Sequence, residues 1–165
     1  MTVQQRLKAI EERLVALERT PTPIPRKEKL WALNYLEKHA PESGTVVYAG
    51  TVNVEIIGHY VWQVSLPTET VLQQPWKEAA PMLAALAHPV RLDILKRIVE
   101  GKRTSHELSE LEGLGTTGQL YHHLKELQAA GWIKAEGRGT YRVVAERVIP
   151  LLAIVLAALG ENLET

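Results

Sequence analysis

The chain has 165 residues, of which 45% are apolar and 23% charged, so it has the composition of a folding globular chain with room for one domain or two small ones. It contains no cysteine, which excludes a disulfide framework, thiolate zinc sites and a cysteine nucleophile. Nineteen Lys and Arg balance nineteen Asp and Glu, so no global basic field announces a nucleic-acid partner.

The opening MTVQQRLKAIEERL has no apolar signal core, and cytoplasm is the expected compartment. Residues 2–19 read as a helix with a heptad seam: Leu7 and Leu14 at a, with Val3, Ile10 and Leu17 at d. A parallel partner would set Arg6 against Glu11 and Arg13 against Glu18. The alternative is an amphipathic helix lying on its own domain. TPTPIP follows at 20–25 as an extended strut, since alternate prolines forbid helix. A second helix is expected over 27–39.

Residues 45–48, 52–57 and 60–66 are rich in β-branched and aromatic residues, with Ala49-Gly50 and Gly58-His59 between them. They predict a three-stranded meander, whose aromatics Tyr48, Tyr60 and Trp62 either line a pocket for a small-molecule effector or pack a small core. From Glu78 the pattern is helical. Pro89 suits a first helical position after His88, with Leu92, Ile94, Leu95, Ile98 and Val99 as a buried stripe and Gly101 as the stop. Thr104-Ser105-His106-Glu107 and Thr116-Thr117-Gly118-Gln119 are capping boxes, the second opening a helix to about Ala130. Two short strands flank Gly137-Arg138-Gly139, and twelve apolar residues fill 148–159. That run rises roughly 18 Å, against about 30 Å for a bilayer core, so it predicts a buried or interface helix and no membrane partner.

The order from residue 89 is helix, short helix, turn, helix, hairpin, helix, which is a helix-turn-helix followed by a wing. On the helix at 116–130, Leu120, Leu124 and Leu127 share an inner arc, while Gly118, His122 and Lys125 lie opposite, flanked by Gln119 and Tyr121. Thr116, Thr117, Gln119, Tyr121, His122 and Lys125 are the candidate DNA contacts, with Arg138 and Arg142 from the wing at 133–144. Gln119 either reads adenine or returns the cap on Thr116. His122 and His123 are adjacent, hence about 100° apart on a helix, and poorly placed to share a metal. His106 and Glu110 make either half a metal site or a solvated face. No metal, cofactor or catalytic residue is expected, for no nucleophile–base set and no phosphate-binding glycine loop is present.

LAHPVRLDIL at 86–95, LYHHLKELQAAGWI at 120–133 and the wing after them resemble the ArsR-type winged helix-turn-helix of bacterial transcriptional regulators. The resemblance covers 83–159, about half the chain. It implies a DNA-binding homodimer whose terminal helices pack across the two-fold axis, here through Leu152, Val155, Leu156 and Leu159. Metal-sensing members carry cysteines where this chain has KRTSHEL, or His and carboxylate ligands on the last helix where it has VIPLLAIVLAAL. The family's metal sites are therefore absent, and 1–76 lies outside the resemblance.

The expected fold is α+β, mainly α: a heptad helix and Pro linker at 1–25, a small helix-plus-meander module at 26–76, and a winged helix-turn-helix domain with a C-terminal dimerisation helix at 77–165. The expected function is a sequence-specific transcriptional regulator, a repressor, acting on double-stranded DNA. Dimers are expected, with Leu7, Ile10, Leu14 and Leu17 able to extend them to tetramers. The alternative is a winged-helix protein-interaction adaptor without DNA binding. Residues 88–147 hold ten Lys and Arg against eight Asp and Glu, so non-specific affinity should be modest.

Overall fold

A computed structural model describes residues 31–54 and 58–160. The heptad helix, with Leu7, Ile10, Leu14 and Leu17, and the TPTPIP strut lie outside the described residues. The chain divides into two compact units, 1–45 and 46–165.

In the first unit, helix α1 spans Trp31–His39. His39 Nδ1 lies 2.8 Å from the Tyr35 carbonyl and the two rings stack at 4.2 Å, an i, i+4 contact at the helix end.

Strands β1 (Thr45–Val54), whose residues from Val46 on belong to the second unit, and β2 (Gly58–Pro67) pair as a two-stranded sheet. The three-stranded meander is therefore corrected. Ala49-Gly50 lies inside one ten-residue strand rather than at a turn. A Cβ at Gly50 would stand 3.0 Å from Ile149 Cγ2, so the glycine admits a side chain from a helix a hundred residues on. Val52 packs against the main core as well, so these strands belong to the unit that holds the helix-turn-helix.

Two short helical turns follow: α2 (Thr68–Leu72), where no element was expected, and a 3₁₀ turn (Trp76–Ala79), which opens the stretch read as helical from Glu78. Then come α3 (Ala80–Leu86), α4 (Pro89–Val99), α5 (Ser105–Ser109), α6 (Thr117–Ala129), β3 (Ile133–Gly137), β4 (Thr140–Val143) and α7 (Val148–Leu159). Pro89 opens α4 behind an extended His88, as its fixed φ favours. Arg91 donates from Nε to the Ala85 carbonyl at 2.6 Å and from Nη2 to Ala84 at 2.9 Å, which satisfies the open end of α3 and fixes the corner into α4.

One core holds the unit together. Ile94, Leu95 and Ile98 of α4, Leu108 of α5, Leu120, Leu124 and Leu127 of α6, Trp132, and Val148 and Leu151 of α7 are all buried. Trp132 is 1% exposed, and its indole N–H donates to the Met82 carbonyl at 3.0 Å, so this large ring leaves no donor unpaired. Leu92, expected in the buried stripe, is 38% exposed, and Val99 is only partly buried. Helix α7 is likewise only half covered. Val148, Ile149 and Leu151 are buried, but Leu152, Leu156 and Leu159 face solvent. Among the described residues, no helix is long and apolar enough to cross a membrane.

Candidate nucleic-acid interface

The turn between α5 and α6 is Glu112-Gly113-Leu114-Gly115. Both glycines sit at φ near +80°, where a Cβ is disfavoured, and Leu114 between them is buried in the core. Gly115 has a second reason to be glycine: a Cβ there would collide with the Gln119 side-chain amide. That amide needs the space because it caps α6. Thr116 N donates to Gln119 Oε1 at 2.8 Å, and Gln119 N donates to Thr116 Oγ1 at 3.3 Å. The two readings of Gln119 are thus resolved for the free protein. Its amide oxygen belongs to the cap. Removing the cap with Thr116→Ala should cost about 1 kcal/mol of stability, read from a denaturant midpoint at constant slope.

Beyond the cap, α6 presents an outer face. Thr117, Gly118, His122 and Lys125 are exposed, and Tyr121 is half exposed, opposite the buried Leu120, Leu124 and Leu127. Arg138 stands exposed at the tip of the wing between Gly137 and Gly139. The predicted residues are brought to the outward surface of α6 and the wing, with one qualification. Arg142 is not free: its Nε lies 3.4 Å from Glu136 Oε1. Thr116, by contrast, is exposed but spends its hydroxyl on the cap.

The wing is tied to the helix-turn-helix by backbone bonds. Thr104 bridges Thr140, Ser105 N donates to the Gly139 carbonyl at 2.7 Å, and Tyr141 N donates to Arg103 at 2.9 Å. The Thr104 capping box at the start of α5 is complete, with Glu107 Oε2 accepting from the Thr104 N–H at 2.8 Å. These bonds hold the Glu107 carboxyl below its ordinary pKa, backbone and hydroxyl donors of Thr104 leading.

His123 packs between His122, whose ring centroid is 5.7 Å away, and the start of α4. Its ring lies 4.6 Å from that of His88, and the Nδ1 atoms of both are buried without a hydrogen-bond partner. Burial, with neighbouring His88, Arg91 and His122 adding to it and Glu126 opposing, lowers the His123 pKa. The unfolded chain therefore binds the proton more tightly than the folded one. Stability is complete above about pH 6.5, the ordinary imidazole value, and falls as pH drops from there toward the lowered folded value. Denaturant unfolding at pH 7 and pH 5 should show this loss, and His123→Gln should reduce it.

His106 Nδ1 and Glu110 lie 3.8 Å apart and are both largely exposed, a solvated helix face. Tyr48 and Tyr60 are partly buried and Trp62 is 37% exposed. An apolar groove of about 310 Å³ runs instead between α4 and α7, lined by Leu92, Leu95, Val99, Leu151, Leu152 and Val155.

Taken together, a short capped helix, a two-glycine turn, a capped second helix with an exposed polar face, and a hairpin hydrogen-bonded back to the first helix define a winged helix-turn-helix domain. A family model described as a helix-turn-helix domain matches residues 86–134. Among solved structures, the chain is similar to the protein Rv0081 of Mycobacterium tuberculosis, at 30% identity and a TM-score of 0.44 over 53% of this chain and 91% of that one. It is similar to the homodimeric winged helix-turn-helix DNA-binding domain of Mb0332 from Mycobacterium bovis, a possible ArsR-family transcriptional regulator, at 26% identity and 0.45 over 60% and 91%. It is also similar to the transcriptional repressor BigR from Xylella fastidiosa, at 26% identity and 0.43 over 57% and 98%. No curated protein matches. LAHPVRLDIL and LYHHLKELQAAGWI stand at the start of α4 and along α6, so residues 86–134 form a helix-turn-helix domain that resembles the ArsR type.

Proposed function

We propose that the protein is a homodimeric, sequence-specific DNA-binding repressor that seats α6 in the major groove and lays its wing along the flanking backbone. The observation that carries this reading is the outer face of α6. Thr117, Tyr121, His122 and Lys125 are exposed on one side of a helix whose opposite side is locked into the core, so all four can be spent on a ligand without disturbing the fold. Hydroxyl, imidazole and ammonium groups beside a small Gly118 suit base edges and phosphates in a groove about 12 Å wide.

Dimerisation is supported by α7. Leu152, Leu156 and Leu159 are 39%, 58% and 49% exposed, a contiguous apolar face that a second copy would cover. A two-fold dimer presents two recognition helices, which matches half-sites one helical turn apart. Repression needs no further surface, because a dimer seated across a promoter excludes other proteins by occupancy alone.

A salt series on labelled genomic fragments tests the reading. Retarded migration that weakens with rising salt supports it, because phosphate contacts release counterions. No retardation of any fragment at low salt would favour the protein-interaction adaptor.

A further inference from the structure

The wing carries one carboxylate shared by two arginines. Between β3 and β4 the partners run Ile133 with Val143, Lys134 with Arg142, Ala135 with Tyr141, then Gly137 with Thr140, so Glu136 is the extra residue of a bulge. A bulge re-aims its side chain out of the regular alternation. Here Glu136 Oε2 accepts from Arg103 Nη1 at 2.8 Å, while Oε1 stands 3.4 Å from Arg142 Nε. Arg103 is held on the far side of β4 from β3, through its own carbonyl and the Thr104–Thr140 bridge. The carboxylate thus reaches from β3 to one arginine on β4 and another beyond it.

All three side chains remain reachable, at 30%, 43% and 34% exposure for Arg103, Glu136 and Arg142. Ion pairs at that exposure add little to folding stability. Their larger consequence is for what the arginines can bind. Lys134 directly opposite Arg142 places like charges together, and Glu136 is the acid that offsets them. With an excess of only two positive charges over residues 88–147, one carboxylate on the wing is a large part of the local field.

We infer that Glu136 is a specificity-determining residue that restrains non-specific DNA binding. It holds Arg103 and Arg142 when the wing meets arbitrary sequence, and phosphate oxygens take its place only where α6 is seated. Arg103 is thereby assigned as a further phosphate contact. The inference rests on the DNA-binding reading above. Phosphate contacts strengthen binding to every sequence and carry no sequence information, so withholding two of them from the wrong DNA raises the ratio of specific to non-specific affinity.

The test is fluorescence anisotropy of the full chain on a scrambled duplex and on a fragment selected from genomic DNA, each over a salt series. Glu136→Gln keeps the shape and removes the charge. Its affinity for the scrambled duplex should rise on the order of 10-fold, with a log–log salt slope steeper by about 1 to 2. Affinity for the selected fragment should rise less. Glu136→Asp, which keeps the charge, should stay close to the unsubstituted chain. Arg103→Gln with Arg142→Gln should leave the scrambled duplex unaffected and weaken the selected fragment, and in that background Glu136→Gln should change nothing. A purely structural role for Glu136 would lower the melting temperature without raising affinity, and that result would overturn the inference. Equal salt slopes with and without the carboxylate would overturn it alone, leaving DNA binding intact. Failure of every form to bind either duplex would remove the DNA-binding reading and this inference with it.

Discussion

Replacing Tyr121 and His122 together by alanine should abolish sequence-specific DNA binding while leaving the fold intact. Both side chains project from the outer face of α6, Tyr121 at 49% exposure, and neither belongs to the Leu120, Leu124, Leu127 arc. Each base-edge contact contributes about 1–3 kcal/mol of discrimination, so losing two amounts to about 2–6 kcal/mol. That range runs from roughly 30-fold to more than 10⁴-fold in affinity for the selected fragment. Binding to scrambled duplex should change far less, because Lys125, Lys134 and Arg138 are untouched. A double variant with unchanged affinity for the selected fragment would show that α6 does not read the bases. Far-ultraviolet circular dichroism and the melting temperature should match the parent chain, which separates lost contact from lost fold.

The second large effect lies on α7. Leu152→Asp should convert dimers to monomers, read as a fall in mass by light scattering or sedimentation across a concentration series. Leu152 is 39% exposed in the single chain, on the rim of the α4–α7 groove, so aspartate there still meets water in a monomer. In a dimer it would be an unpaired charge in an apolar interface, costing several kcal/mol. A soluble dimer of parental stability carrying Leu152→Asp would mean that α7 is not the interface. DNA affinity should fall with the dimer, since one recognition helix then acts without its partner.

The parts of the fold that were legible in the sequence are those decided within a few residues. Both capping boxes, Pro89 at the start of α4 and the glycines around the wing are local rules, and each element begins where they place it. What escaped was decided at a distance. Ala49-Gly50 reads as a turn because glycine usually marks one, yet Gly50 is set by Ile149 on the last helix. Leu92 fits the periodic stripe of α4, but its position faces a groove that the chain itself leaves open.

The candidate site divides in the same way. The exposed face of α6 follows from helical periodicity, so Tyr121, His122 and Lys125 stand where the sequence placed them. Gln119 had two readings of equal merit, and the geometry of Gly115 and Thr116 selects the cap. Arg142 looked like a free cation, because nothing in TYRV announces a bulge in the facing strand that aims Glu136 at it. Arg103, which the inference above adds as a phosphate contact, was not among the candidates read from the sequence. Its one visible signal is its place beside the Thr104 capping box, which the sequence explains without any role on DNA. His88 and His123 were likewise hidden, since α4 and α6 bring their rings together from 35 positions apart.

The central claim is that this chain recognises particular DNA sequences through α6 as a two-fold dimer. Its most direct measurement is sequencing of the genomic fragments that the purified full chain retains at physiological salt, compared with those retained by the Tyr121→Ala/His122→Ala form. The account predicts enrichment of a motif with two inverted half-sites centred about 10 base pairs, or a multiple of that, apart, and loss of the enrichment in the double variant. Retained fragments indistinguishable from input, or the same motif recovered by both forms, would contradict it.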